Sequence, residues 1–317
     1  MTAPRLLIVA KTSSYQTYVK EKKDPQTRRL LAAKDPAVGR VLRSHEDHTE
    51  TVREVLEAAR ELGASARSVT TSTMRQERHE DFDLVVTVGG DGTLLTTSHE
   101  VGVAVPILGV NSSPEHSIGF FCGARKGTVK RALDAALAGK MRRTVVTRMQ
   151  VELNGFSLSH RVLNDVLFCH EVPAATSRYI LTVRTGEAVT MEEEQKSSGL
   201  WIGPAAGSTA AQRSAGGHIL PLTSRRIQYV VREPYVPKGK PLRLSRGTVD
   251  EGGRIVLRSK MRQAKLFLDG PHVVHEVGLG DLVTLCRSDE TLTVLGLSRA
   301  NAPTSRQRAP ATRKERG

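Results

Sequence analysis

The chain has 317 residues, 38% of them hydrophobic and 25% charged, enough for a globular protein with two cores. No apolar run reaches the length of a membrane helix and MTAPRLLIVAK passes straight into a strand without a signal-peptide layout, so a membrane partner is excluded and the cytoplasm is the expected compartment. The net charge of +14 invites nucleic acid, but aromatics are only 4% and do not alternate with basic residues, which excludes a base-stacking surface and any specific nucleic-acid partner.

Residues 6–10 read as a first strand ending at Lys11. Residues 12–51 are polar and basic and read as an excursion of one or two helices outside the core sheet. Within them HEDHTE sets His45 and His48 three apart, with Glu46, Asp47 and Glu50 nearby. A metal site is one reading; the polar start of the following helix is preferred, because acidic residues favour a helix N-terminus. That helix is expected over 52–62, with Val52, Val55, Leu56 and Ala59 on one face and a stop at Gly63, and a strand follows over 66–70.

The chain is organised around DLVVTVGGDGT, residues 83–93. Residues 84–88 form a short β-branched run bounded by glycines, which reads as a buried strand. Gly89, Gly90 and Gly92 then strip one turn of side chains, so that the backbone can take positive φ and approach a ligand. Thr93 is expected to cap a helix starting at Leu94, whose N-terminus favours an anion. Asp91, the one charged group in the turn, can hold Mg²⁺ or take a proton from an attacking hydroxyl. A tight turn with Asp91 as a local cap accounts for the same residues, and both readings stay open here.

A further strand, 106–111, ends at Asn111. Alternating strands and helices specify a parallel sheet, whose ligands bind beyond the carboxyl ends of the strands, where Asp91 and Asn111 both fall. After an amphipathic helix over 128–137 the period changes to two. VVTRMQVEL, HRVLNDVLF, SRYILTVRT, IQYVVRE, GRIVLRS, KLFLDG and LVTLCRSDETLTVLGL read as an antiparallel all-β domain starting near Met141. The expected domains are 1–141 (α/β), 142–298 (all-β, with its last strands free to return to the first domain) and a tail, 299–317. The tail carries Arg299, Arg306, Arg308, Arg313, Lys314 and Arg316 against Glu315, has almost no apolar residues and is expected to be disordered. Cys122, Cys169 and Cys286 are far apart and odd in number, as buried thiols would be.

Two stretches break the β pattern. Asn164 and Asp165 interrupt an apolar strand, either to satisfy local backbone or to meet ligand hydroxyls. In KSSGLWIGPAAGSTAAQRSAGG, residues 196–217, small residues surround Ser208, Thr209 and Ser214. They suit a backbone pressed against a nucleotide, or a small-residue helix packed tightly on a sheet.

GGDGT at 89–93, Asn164-Asp165 and GSTAxxxSAGG at 207–217, in this order and spacing, resemble the three signature motifs of the NAD kinase family. KTSSYQTYVKEK, HEDHTETV, GVNSSPEHSIGFF and KSSGL are similar to the mitochondrial type, and the resemblance covers about residues 5–298. It implies a Rossmann-like N-terminal domain, a C-terminal β-sandwich and a ligand cleft between them. The implied activity is transfer of the γ-phosphoryl group of ATP, with polyphosphate as another donor, to the 2′-hydroxyl of the adenosine ribose of NAD(H). Mg²⁺ would ride on the nucleotide phosphates rather than on a protein metal site, and a homo-oligomer, dimer or tetramer, is implied. By the same resemblance Asp91 accepts the hydroxyl proton. Gly92, Phe120, Asn164, Asp165, Lys196, Ser208, Thr209, Ala210 and Ser214 contact NAD, Lys196 across a subunit interface, while Gly89, Gly90, Thr93 and Asn111 serve the phosphates. Ala211, Ser198-Gly199 and Pro271 stand where many members have tyrosine, Asp-Gly and glutamine; losing the tyrosine removes a stacking platform. Alternatives are a lipid or other small-molecule kinase of the same GGDGT superfamily, or a non-catalytic dinucleotide- or nucleic-acid-binding protein.

Overall fold

A computed structural model of the chain describes residues 3–297, apart from positions 187, 238 and 240; the tail expected to be disordered lies outside the described residues. The first half comprises β1 (Arg5–Ala10), α1 (Pro25–Ala32), α2 (Val41–Glu61), β2 (Ser65–Thr70), β3 (Leu84–Gly89), α3 (Asp91–Ser98), β4 (Ile107–Asn111), β5 (Cys122–Arg125), α4 (Val129–Leu137) and β6 (Arg143–Val146). There follow β7 (Met149–Leu153), β8 (Phe156–Val162), β9 (Val166–His170), β10 (Ser177–Thr185), β11 (Ala188–Ser197), β12 (Leu200–Pro204), α5 (Ala211–Ser214) and β13 (Ile227–Val231). The chain closes with β14 (Arg246–Val249), β15 (Gly253–Ser259), β16 (Ala264–Leu268), β17 (Val273–Val277), β18 (Leu282–Arg287) and β19 (Leu292–Leu295).

The first sheet runs β2-β1-β3-β4-β19-β6, with β5 also on β4; every pair is parallel except β19 with β6. Alternate residues of its central strands enter two cores, which is why β1, β3 and β4 read as continuous apolar runs. Leu6, Ile8, Val86 and Leu108 pack with Val55 and Ala59 of α2 and Leu133 of α4. Leu7, Val9, Val85 and Ile107 pack on the other face with Leu94 of α3, Phe121 and Val294. Leu163 and Ala206, from the second half, join this second core, so the two halves share apolar contact.

The second half is two six-stranded antiparallel sheets, β11-β10-β15-β18-β7-β8 and β14-β13-β12-β9-β16-β17. Inward residues of both, among them Val151, Tyr179 and Leu257 from one and Phe168, Ile202 and Leu266 from the other, form one core. The two-fold alternation predicts this β-sandwich, and the parallel sheet before it agrees with the α/β reading.

Two helix starts differ from the sequence expectation. The helix expected over 52–62 is α2, which begins at Val41 with no acidic residue in its first turn. His45 and His48 therefore lie inside it and are not its polar start. His48 is buried with Nδ1 3.2 Å from Ser112 Oγ, and His45 stacks on Tyr15 with Nδ1 2.8 Å from Ser13 Oγ. The helix expected at Leu94 begins at Asp91, with Gly90 rather than Thr93 at the N-cap.

Candidate active site

The glycine turn is built for clearance, not for unusual dihedrals. None of Gly89, Gly90 and Gly92 takes positive φ, contrary to the expectation for this turn. A Cβ on Gly89 would strike the hydroxyl of Thr93, a Cβ on Gly90 would come 2.6 Å from Ser117 Oγ, and Gly92 faces open space. Thr93 is buried, folded back on Gly89.

Asp91 opens α3 and reaches across to the 117–121 loop, where Oδ2 accepts the Phe120 N–H at 2.9 Å and Oδ1 the Phe121 N–H at 2.8 Å. Asn111 lies opposite Gly89 on the adjacent strand, so the two carboxyl ends that sequence places together are together. Its amide is already engaged: Nδ2 donates to Ser117 O at 3.0 Å, and Oδ1 accepts the Ser113 N–H at 3.2 Å. Gly119, at φ +65°, has its missing Cβ filled by the Asn111 side chain. Phe120 is half-buried and meets Phe121 edge-on, with ring centroids 5.0 Å apart.

Asn164 and Asp165 sit just before β9, and their backbone is gripped by a residue that sequence reasoning missed. Asp269, immediately after β16 and with its side chain two percent exposed, accepts the N–H groups of Leu163, Asn164 and Asp165 at 2.8, 2.7 and 3.0 Å. His99, following α3, brings Nε2 to 2.9 Å from Asp269 Oδ2. The only signal in the sequence is an Asp-Gly at a strand end, which carries no hint of three N–H donors about a hundred residues earlier. Asp165 is buried, and this burial, with the Asp269 charge second, pushes its carboxyl up to about 7.

The third stretch packs on the second. Residues 205–209 form a tight helical turn ahead of α5, and a Cβ on Gly207 or Gly203 would run into the Asn164 carbonyl. This is the tight packing weighed for the small residues, directed at the Asn-Asp pair itself. Ser208 is fully buried; its Oγ donates to Ala205 O at 2.7 Å and accepts the Leu220 N–H at 2.9 Å. Thr209 and Ala210 are half-buried and Ser214 is exposed. Lys196 is exposed on β11, an edge strand of the sandwich and apart from the other residues named. Thr209 and Phe120 line a cavity of about 380 Å³ with Thr144, Leu220, Leu222 and Leu297. The Thr144 hydroxyl is buried there with no hydrogen-bond partner among the described residues.

Comparison with known proteins places the chain in a family. The pattern described as the ATP-NAD kinase N-terminal domain matches residues 7–141. The probable NADH kinase of Oryza sativa subsp. japonica is 35% identical over 265 residues, 78% of this chain and 81% of that protein. The chain belongs to the NAD kinase family. Another NAD kinase relative, the NADH kinase of Arabidopsis thaliana, is 36% identical over 231 residues, 68% of this chain and 73% of its own. The crystal structure of an NAD kinase from Archaeoglobus fulgidus in complex with ATP superposes with a TM-score of 0.64 at 18% identity, covering 92% of both chains, which shows a common fold.

Around the NAD kinase motifs the side chains offer no ready-made cation cage: among the described residues no three His, Cys, Asp or Glu side chains are grouped to hold a metal ion. No described helix is long and apolar enough to cross a membrane.

Proposed function

We propose that this chain transfers the γ-phosphoryl group of ATP to the 2′-hydroxyl of the adenosine ribose of NAD or NADH, making NADP or NADPH. One observation carries the reading: Asp269 holds the Leu163 to Asp165 backbone while facing His99, so the helix of Asp91 and the Asn-Asp pair are tied to one crevice. The names of the two plant relatives, both NADH kinases, support including the reduced dinucleotide as acceptor.

Asp91 is the group assigned to orient and deprotonate the hydroxyl. A carboxylate has about four lone-pair sites, and the Phe120 and Phe121 N–H groups take two of them, which leaves acceptor capacity for a ribose hydroxyl. Gly89, Gly90, Thr93 and the first N–H groups of α3 form the phosphate cradle, and Asn111 shapes it by holding the 112–119 loop. Asn164 and Asp165 receive ribose hydroxyls, with Gly92, Thr209 and Ala210 alongside. Ser208 acts by fixing the turn that carries Thr209, and Ser214 stands at the rim. The adenine is assigned to the cavity beside Phe120 and Thr209, where the Thr144 hydroxyl awaits a partner and no tyrosine at 211 is needed. Lys196, exposed on an edge strand, is assigned to a ligand bound across the interface of a homo-oligomer.

Mg²⁺ coordinated mainly by ATP phosphates and water fits a turn with a single carboxylate, and its chemistry is to neutralise phosphate charge. Phosphoryl transfer requires chiefly positioning and charge neutralisation, which a rigid crevice supplies. The test is a purified-protein assay of NAD⁺ or NADH with Mg·ATP or polyphosphate, read with an NADP-specific dehydrogenase. Product with ATP is expected; no product in any combination overturns the reading. The proposed compartment is the cytoplasm, which cell fractionation tests.

A further inference from the structure

Lys11 is the first residue past β1, and its N–H donates to Val88 O at 3.1 Å. Ala10 lies opposite Val88, and Gly89 opposite Asn111, so Lys11, Gly89 and Asn111 form one row along the carboxyl edge of the parallel sheet. Neighbouring strands stand about 4.8 Å apart, which puts the Lys11 main chain one strand spacing from the glycine turn.

The lysine is costly where it stands. Its side chain is half-buried, and among the described residues no carboxylate pairs with it. Lys126 on the same edge shows the ordinary arrangement, with Nζ 2.7 Å from Asp47 Oδ1 and 2.7 Å from Glu50 Oε2. Burial draws the Lys11 ammonium pKa down, and His48 beside it is pushed down to about 4, first by its own burial and then by the lysine's charge. His48 on α2 is therefore neutral at pH 7 and, being an imidazole, offers the ammonium no negative charge in either of its forms. An unpaired charge is expensive to desolvate, and a bound anion would supply what is missing. A triphosphate brought to Asp91 also meets a carboxylate, so a cation is needed on the opposite side.

We propose that Lys11 is a binding residue for the donor, gripping the phosphates of ATP from the β1 side of the Gly89-Gly90 turn. The inference rests on the phosphotransfer reading above but is tested by binding, independently of turnover. Lys11→Met should raise the dissociation constant for Mg·AMP-PNP, measured by calorimetry, about tenfold or more, the loss of one charge-assisted hydrogen bond. It should raise the KM for ATP likewise, leave NAD affinity within about twofold and not lower the melting temperature, because an unpaired cation is being removed. Lys11→Arg should restore most of the loss, and Lys11→Gln serves if the methionine variant does not fold. In the unmodified protein, AMP-PNP but not NAD should shield Lys11 from acetic anhydride, read by mass spectrometry. Unchanged AMP-PNP affinity in Lys11→Met, or equal losses for AMP-PNP and NAD, overturns the proposal. Weakened AMP-PNP binding in a protein that makes no NADP would uphold Lys11 and sink the proposed reaction, whereas no AMP-PNP binding by the unmodified protein would sink both.

Discussion

Gly207 lies so close to Asn164 that a single methyl group on the glycine would have to displace the asparagine's carbonyl. Gly203 presses on the same carbonyl, and its missing Cβ would come 3.0 Å from Asp165 Cα. These obstacles are backbone, which cannot swing aside as a long side chain can. Gly207→Ala should therefore cost about 1–3 kcal/mol of stability by overpacking and weaken NAD binding, measured by thermal melting and calorimetry. An alanine variant with unchanged NAD affinity would show that the two segments do not act as one.

Asp91→Asn should abolish NADP formation, but not without structural effect. One of its two atoms facing the Phe120 and Phe121 N–H groups becomes an amide nitrogen, so one donor loses its acceptor. A stability loss of about 1–3 kcal/mol is expected for that mismatch, with the fold retained by circular dichroism. Near-normal turnover would remove Asp91 from its assigned role.

Asp165 makes stability depend on pH in a definite direction. Its carboxyl titrates at about 7 in the folded chain and near 4 when unfolded, so between those values the folded state holds the extra proton. Stability then falls as pH rises through this window and levels off above it. Asp165→Asn should be less stable relative to the parent at pH 5 than at pH 8, with the gap changing by roughly 1.4 kcal/mol for each pH unit between 5 and about 7. Melting curves at the two pH values decide this, and parallel curves would show that the side chain is solvated.

Arg148 is fully buried and bolts the helix of Asp91 to the far end of the chain. Its guanidinium donates to the carbonyls of Ser98, the last residue of α3, and Val101 just beyond, at 2.9 and 2.8 Å, and of Glu290 and Thr291 before β19, at 2.7 and 3.0 Å. Burial lowers its pKa to about 10, which leaves it charged at neutral pH. Arg148→Met should cost about 3–5 kcal/mol in urea unfolding, because buried acceptors lose their donors. Arg148→Lys should recover only part, since an ammonium cannot reproduce the planar fork.

Where burial dictates residue type, the fold is legible from sequence: β1, β3 and β4 are mostly apolar on both faces because both are covered, and β10, β15 and β18 alternate because one face is buried. Legibility fails where tertiary contacts overrule local preference. The first ten residues of α2 show no apolar stripe because only His48 among them is buried, and the expected helix begins where the stripe does. Gly90, Asp91 and Gly92 are poor helix formers, yet α3 starts there with Asp91 tied to the 117–121 loop. β11 carries Glu192, Glu193 and Glu194 and does not read as a strand; Glu193 accepts the Arg243 and Leu244 N–H groups, and Glu194 pairs with Lys260. The three motifs of the site are visible because their residue types are unusual for strands. Asp269 and Arg148 are not, because their partners are main-chain groups whose positions only the folded chain defines.

β19 follows all the sandwich strands in the sequence, yet it lies between β4 and β6 in the first sheet. During synthesis the Ile107 end of β4, paired with Val85 of β3 on one side, therefore has no partner on its other side until the whole sandwich has left the ribosome. A polypeptide stopped before Leu292 is expected to leave that edge exposed to pairing with other chains, which limited proteolysis of nascent chains would detect as protection arriving only after β19 has emerged. Neither half can be exchanged by simple gene fusion, because the sheet under the glycine turn is sewn shut with thread from the other.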